Sequence, residues 1–225
     1  MGRPKSDERK DIRTLVLEKA RSLFLKEGYA NITIRKIARA IGYTPATIYL
    51  YFQSKDEILY ELHNEGFKLL YAYKMKIGEA GSSDALERLN RGGKIYIDFA
   101  LENPDYYELM FNMPEPRNFM ARQKKGAAND YAMRSYEFLK ESVQLCKAEG
   151  YFKDVDADTA AFTCWSLVHG LVALIIRKRV PYPQAPTKQL AHEAIEFFGR
   201  MITAERFVSN TRDSLRLIAG KVQQR

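Results

Sequence analysis

The stretch from Ile34 to Ile48 constrains this chain more than any other. Counting Ile34 as position one, Ala38 stands at five, Gly42 at nine and Ile48 at fifteen. Two helices that cross steeply over a turn of about three to four residues need a small side chain at the crossing. Ala38 supplies it. The turn needs a residue that accepts positive φ, and Gly42 does so without a steric penalty. Ile48 then pins the second helix to the first. Thr33 precedes the first helix as a cap, and Thr44 precedes the second. Pro45 follows at the first helical position, where its missing N–H is not needed. Spacing, turn and caps agree on a helix-turn-helix.

Apolar residues at helical spacing continue along the chain, with no alternating Val/Ile/Thr run bounded by hairpin turns. The expected fold class is all-α, with about nine to ten helices. A first helix over 9–27 turns Ile12, Leu15, Val16, Ala20, Leu23 and Phe24 inward, and Gly28 ends it. The second covers 33–40, burying Ile34, Ile37, Ala38 and Ile41, and the third covers 44–50. Tyr51 and Phe52 are expected in the core. Ser54-Lys55-Asp56-Glu57 is a capping box, with Ser54 accepting from the Glu57 N–H and the Glu57 side chain reaching back. It opens a long fourth helix to 77. Further helices are expected at 84–102, 105–111, 118–149, 156–179 and 187–207, with the tail to 225 as a tenth. Asp156 caps the eighth, and Gly150 ends the seventh. The domain boundary falls along helix four, giving a head of 1–54 and a body of 55–225.

Charge separates the same two parts. Residues 1–55 hold 12 Lys/Arg against 5 Asp/Glu, while the remainder holds 24 against 23. A basic head over a neutral body points to a polyanion partner, although a solvated basic face has the same composition. Lys36 and Arg39 read equally as such solvated charges. Cys146 and Cys164 are too few for a disulfide framework, and residues 1–10 are polar with no apolar run after them. A reducing, cytoplasmic setting is the expectation. The apolar run 160–176 falls short of the roughly 20 residues of a membrane span and contains Ser166 and His169, so a helix buried in protein is expected. His63, His169 and His192 lie on separate helices. No His/Cys metal spacing, phosphate-binding glycine loop or nucleophile elbow occurs, which argues against an enzyme, a metal and a cofactor.

The run Ile32-Thr33-Ile34-Arg35-Lys36-Ile37-Ala38, then Gly42-Tyr43-Thr44-Pro45-Ala46-Thr47-Ile48-Tyr49-Leu50-Tyr51-Phe52 and Ser54-Lys55-Asp56-Glu57-Ile58-Leu59, resembles the DNA-binding domain of the TetR family of bacterial regulators. The resemblance covers about residues 9–60. It implies a DNA-binding head, a variable ligand cavity in a helical C-terminal domain, and a dimer. Most such proteins are repressors released from double-stranded operator DNA by a small molecule. The recognition helix would enter the major groove N-terminal end first, so that Thr44, Pro45, Ala46 and Thr47 meet base edges. Tyr43 and Arg35 are candidates for further readout. Thr33, Tyr49 and Lys55 match the family's phosphate contacts, and Arg3 and Lys5 form an arm that could reach the backbone or minor groove.

The body is rich in aromatic and Met residues, most of them expected in the core. Those named as pocket candidates are Tyr96, Phe99, Tyr107, Met110, Phe111, Tyr136, Trp165 and His169, around a largely apolar or aromatic effector. The loop 113–117 would give an entrance. Trp165, His169 and Gly170 resemble the Trp–His–Gly signature of one C-terminal subtype, with Gly170 admitting another helix closely. His169 is either a ligand contact or a core histidine bonded to a neighbouring carbonyl. The family resemblance implies a homodimer through helices eight and nine, using 167–176 and 195–198. A regulator without a small effector, controlled by a protein partner or acting architecturally, is the alternative.

Overall fold

The computed structural model describes residues 6–76, 84–114, 130–181 and 186–222. The arm with Arg3 and Lys5, the loop beyond 114 and the expected start of helix seven lie outside the described residues. The described elements are α1 (Ser6–Glu27), a 3₁₀ turn (Tyr29–Asn31), α2 (Ile34–Ala40), α3 (Pro45–Tyr49), α4 (Lys55–Met75), α5 (Ala85–Glu102), α6 (Pro104–Phe111), α7 (Tyr131–Ala148), α8 (Ala157–Ile176) and α9 (Thr187–Val222). All are helical, as the periodicity requires. The tail expected as a tenth helix instead continues α9 without a break.

Contacts divide the chain into two units, 1–69 with 103–133 and 70–102 with 134–225. The division falls within α4. The reason is packing: Ile58, Leu59 and Leu62 of α4 are buried in the first unit's core. That core also holds Val16, Leu17, Ala20 and Phe24 of α1, Ile37 and Ala38 of α2, Ile48, and Phe52 just beyond α3. Leu15, expected inside, is 38% exposed, and Leu17 takes the inward position. Tyr51 packs at the margin of this core. α6 joins the same unit, packing on α1 with Leu109 fully buried. Gly66 makes room for it, since a Cβ there would lie 2.5 Å from the Met110 sulfur.

In the second unit α5 packs against both α8 and α9. Gly199 permits the α5–α9 approach, because a Cβ would lie 2.4 Å from Asn90 Nδ2. At Gly170 no other described part of the chain lies within 4 Å of its Cβ position. Asp156 caps α8 as expected, its carboxylate accepting from the Thr159 N–H at 2.9 Å. α8 is long and apolar enough, by length and composition, to cross a membrane. Here it buries Ala160, Ala161, Cys164, Val168 and Val172, while Phe162 and Leu174 stay exposed. The burial expected of this helix is therefore one-sided.

Candidate nucleic-acid interface and effector site

The helix-turn-helix forms as its spacing requires. Thr33 sits extended at the start of α2, and its Oγ1 accepts from the Lys36 N–H at 3.2 Å. Ala38 and Ile48 are fully buried at the crossing. Gly42 turns the chain with φ +74°, in the left-handed region where a side chain is strained. Thr44 caps α3, accepting from the Thr47 N–H at 3.2 Å, and the two threonine hydroxyls lie 3.0 Å apart. Either hydroxyl can be the donor in that pair, which leaves the other O–H free to donate outward.

The outward face of this unit is set by what the core leaves out. Thr44 and Ala46 are exposed, and Pro45 and Thr47 are half-buried beside them. Tyr43 and Tyr49 are 41% and 56% exposed. Arg35 is exposed and has no ion-pair partner among the described residues. Lys36, by contrast, is held in an ion pair with Glu27.

Lys55 has a role that sequence reasoning missed. Its ammonium donates to the Tyr29 carbonyl at 2.8 Å and lies 4.0 Å from the centre of the Tyr29 ring. The Tyr29 hydroxyl in turn donates to Asp56. Burial, reinforced by Asp56, raises the Tyr29 hydroxyl well above its ordinary range, and burial lowers Lys55 against the pull of Asp56. This clamp joins the 3₁₀ turn to the start of α4. Any phosphate contact by Lys55 must use the ammonium protons left over. The capping box also differs in detail: the Glu57 N–H bonds Ser54 Oγ at 3.1 Å, but the Glu57 carboxylate takes the Gln53 N–H, one residue earlier than expected.

Two family profiles match this chain. Residues 16–62 match "Bacterial regulatory proteins, tetR family", and residues 89–198 match "Tetracyclin repressor-like, C-terminal domain". The chain belongs to the TetR family. It is a DNA-binding transcriptional regulator, not an enzyme. The HTH-type transcriptional regulator YdgC of Bacillus subtilis is 27% identical over 66% of this chain and 73% of its own length. The HTH-type transcriptional regulator HbdR of an Aromatoleum species is 25% identical over 68% of this chain and 66% of its own. The crystal structure of the TetR regulator PfmR of Thermus thermophilus superposes with a TM-score of 0.60 at 25% identity, over 82% of this chain and 97% of that one. The C-terminal profile has the broader description and does not name the Trp–His–Gly subtype.

TetR regulators act as dimers and bind small effectors. The eight residues expected to line an effector pocket are divided between the two units. Tyr107 and Phe111 stack on α6 in the first unit, with ring centroids 5.1 Å apart, and Met110 is buried beside them. The second unit gathers four of the others. Tyr136 meets Trp165 edge-on at 6.4 Å, Trp165 meets His169 at 6.0 Å, and His169 Nδ1 lies 3.1 Å from the Tyr96 hydroxyl. Phe99 is fully buried against Tyr73, 5.6 Å away. Among the described residues no cluster of three or more His, Cys, Asp or Glu side chains is placed to hold a metal.

His169 Nδ1 stands within hydrogen-bonding distance of the Tyr96 hydroxyl. Burial lowers its pKa below the ordinary 6.5. The unfolded chain then binds more protons than the folded one as pH falls below about 6.5, so folding stability is lost on acidification through that window. Thermal melts between pH 7.5 and about 5 are expected to show this slope, and His169→Gln is expected to flatten it. An unchanged slope in the variant would assign the acid sensitivity to other groups.

Proposed function

We propose that this regulator is a cytoplasmic repressor, released from its operator by a small, largely apolar or aromatic effector. The observation that carries the reading is the surface of α3 and its approach turn. Tyr43, Thr44, Ala46 and Tyr49 stand exposed on a buried scaffold in the basic end of the chain. Thr44 and Thr47 share one hydroxyl bond, so the pair presents one outward donor together with acceptor lone pairs to a base edge. Ala46 and Pro45 suit a thymine methyl. Arg35 and Tyr43 supply further readout, and Thr33, Tyr49 and Lys55 contact phosphates.

The dimer forms through α8 and α9. On α9 the exposed apolar residues Leu190, Phe197, Met201 and Val208 recur at spacings of seven, four and seven, which places them on one helical stripe. On α8, Gly170 lies open on the face that carries exposed Thr163, Ser166 and Leu174. A second copy can approach there as closely as the glycine permits. Ile195 takes no part: it is buried in its own chain beside Gly93. Two heads related by the dimer axis would read a pseudo-palindrome.

Coupling to the effector uses α4, which contributes Leu59 and Leu62 to the first unit and Leu70 to the second. An effector that prefers the arrangement unable to bind operator shifts the equilibrium toward it. One without such a preference shifts nothing. The test is binding of the purified dimer to DNA flanking its own gene over a salt series. Selective binding whose affinity falls steeply with salt is expected, with a slope of about −0.9 per phosphate contacted. Equal affinity for random duplexes, and no operator from random-sequence selection, would overturn the reading.

A further inference from the structure

Among the described residues, Lys74 is the only lysine or arginine that is buried. It stands on the last turns of α4. Its ammonium donates to the backbone carbonyl of Ser135, on the first turns of α7, at 2.8 Å. That partner is neutral, and no carboxylate among the described residues pairs with Lys74. The same serine carries a second unmet need: its hydroxyl is buried and has no hydrogen-bond partner among the described residues. A cation without a counter-charge and an idle hydroxyl therefore meet at one residue.

Their chemistry selects a ligand. An ammonium has three donors, of which one is used, and a hydroxyl can donate one more. The matching group carries negative charge and at least two acceptor oxygens, so that charge-assisted bonds replace the missing solvation. A further cation stands next door, since the Arg134 guanidinium lies 4.8 Å over the ring of Tyr71, one turn before Lys74. Aromatic rings adjoin it: Tyr73, the residue before Lys74, packs edge-on against the buried Phe99 while its hydroxyl donates to Glu102. We propose that Lys74 and the Ser135 hydroxyl anchor the effector, and that the effector is a carboxylate with an apolar or aromatic body. The carboxylate supplies the counter-charge that no described residue provides. This rests on the reading that the body binds an effector, and it narrows that effector from an apolar compound to an anionic one.

The test uses the full chain without DNA, so that its outcome is independent of operator binding. Thermal unfolding is followed with decanoate and phenylacetate, with the uncharged decanol and 2-phenylethanol, and with inorganic phosphate. A carboxylate present at about a hundred times its dissociation constant is expected to raise the midpoint by roughly 5–10 °C. The alcohols are expected to leave it within about 1 °C. Lys74→Met is expected to abolish the response to carboxylate while the protein remains folded, and Ser135→Ala to weaken it about tenfold, as loss of one hydrogen bond to a charged group does. Equal shifts from acid and alcohol, an intact response in Lys74→Met, or no shift from either carboxylate would each overturn the proposal. A shift from phosphate alone would overturn it in favour of an inorganic anion. Carboxylate binding that left operator affinity unchanged would keep the anchor and overturn the release mechanism instead.

Discussion

Replacing Phe197 and Met201 together by aspartate is expected to leave a folded monomer that no longer holds operator DNA tightly. Both side chains are more than half exposed within the protomer, at 57% and 52%, so their loss leaves the protomer's own core intact. In a two-fold dimer each substitution acts twice. Burying a large apolar side chain contributes about 1.5–3 kcal/mol, so four such losses come to roughly 6–12 kcal/mol before any repulsion between the new charges. At about 1.4 kcal/mol per tenfold change, the dimer dissociation constant rises at least about ten-thousandfold. Each head then binds a half-site alone, and operator affinity falls with it. Sedimentation would read the monomer, circular dichroism its retained helicity, and titration with operator DNA the loss of binding. A variant that stayed dimeric would move the interface away from the Leu190–Phe197–Met201–Val208 stripe.

What the sequence revealed and what it concealed divide along the range of the interactions. The helix-turn-helix was legible because each of its requirements is local. Ala38 at the crossing, Gly42 at the turn, and Thr33 and Thr44 as caps all act within a few residues of where they stand. The caps at Ser54 and Asp156 were legible for the same reason. The Tyr29–Asp56–Lys55 clamp was not, because Tyr29 and Asp56 stand 27 residues apart and neither belongs to a recognisable pattern. The division of the pocket candidates between the two units was not legible either. Tyr107, Met110 and Phe111 have the composition of a pocket wall, but composition does not say which core a helix joins. Leu109, buried with the first unit, and Gly66, opening space for Met110, decide that for α6. Leu15 and Leu17 illustrate the limit at single-residue scale: both lie near the apolar face of α1, and only its neighbours determine which one turns inward. Lys74 left no signal at all, since a lysine on a long helix is ordinarily solvated.

Lys74→Met is expected to make the protein more stable at neutral pH. Burial lowers the Lys74 pKa from 10.5 to about 8. Between those values the unfolded chain binds more protons than the folded one, so stability rises with pH from about 8 to 10.5. Below pH 8 the lysine is charged in both states, and the folded state bears the whole cost of burying it. A pKa drop of that size corresponds to about 3 kcal/mol. Methionine fills a similar volume without a charge. It forfeits the hydrogen bond to the Ser135 carbonyl, worth about 1 kcal/mol, which leaves a net gain of about 2 kcal/mol. For a chain of this length that raises the midpoint by roughly 4–8 °C at pH 7. The gain should shrink steadily toward pH 10.5, where the wild-type lysine is neutral in the fold at little cost. Melts of both proteins at pH 7 and near 10 would measure this. A lower midpoint for the variant at pH 7 would mean that Lys74 braces α4 against α7 and that its burial needs no other reason. A higher midpoint would mean that the chain retains a residue its own stability does not favour. Such a cost is characteristic of a binding group whose partner arrives from outside the fold.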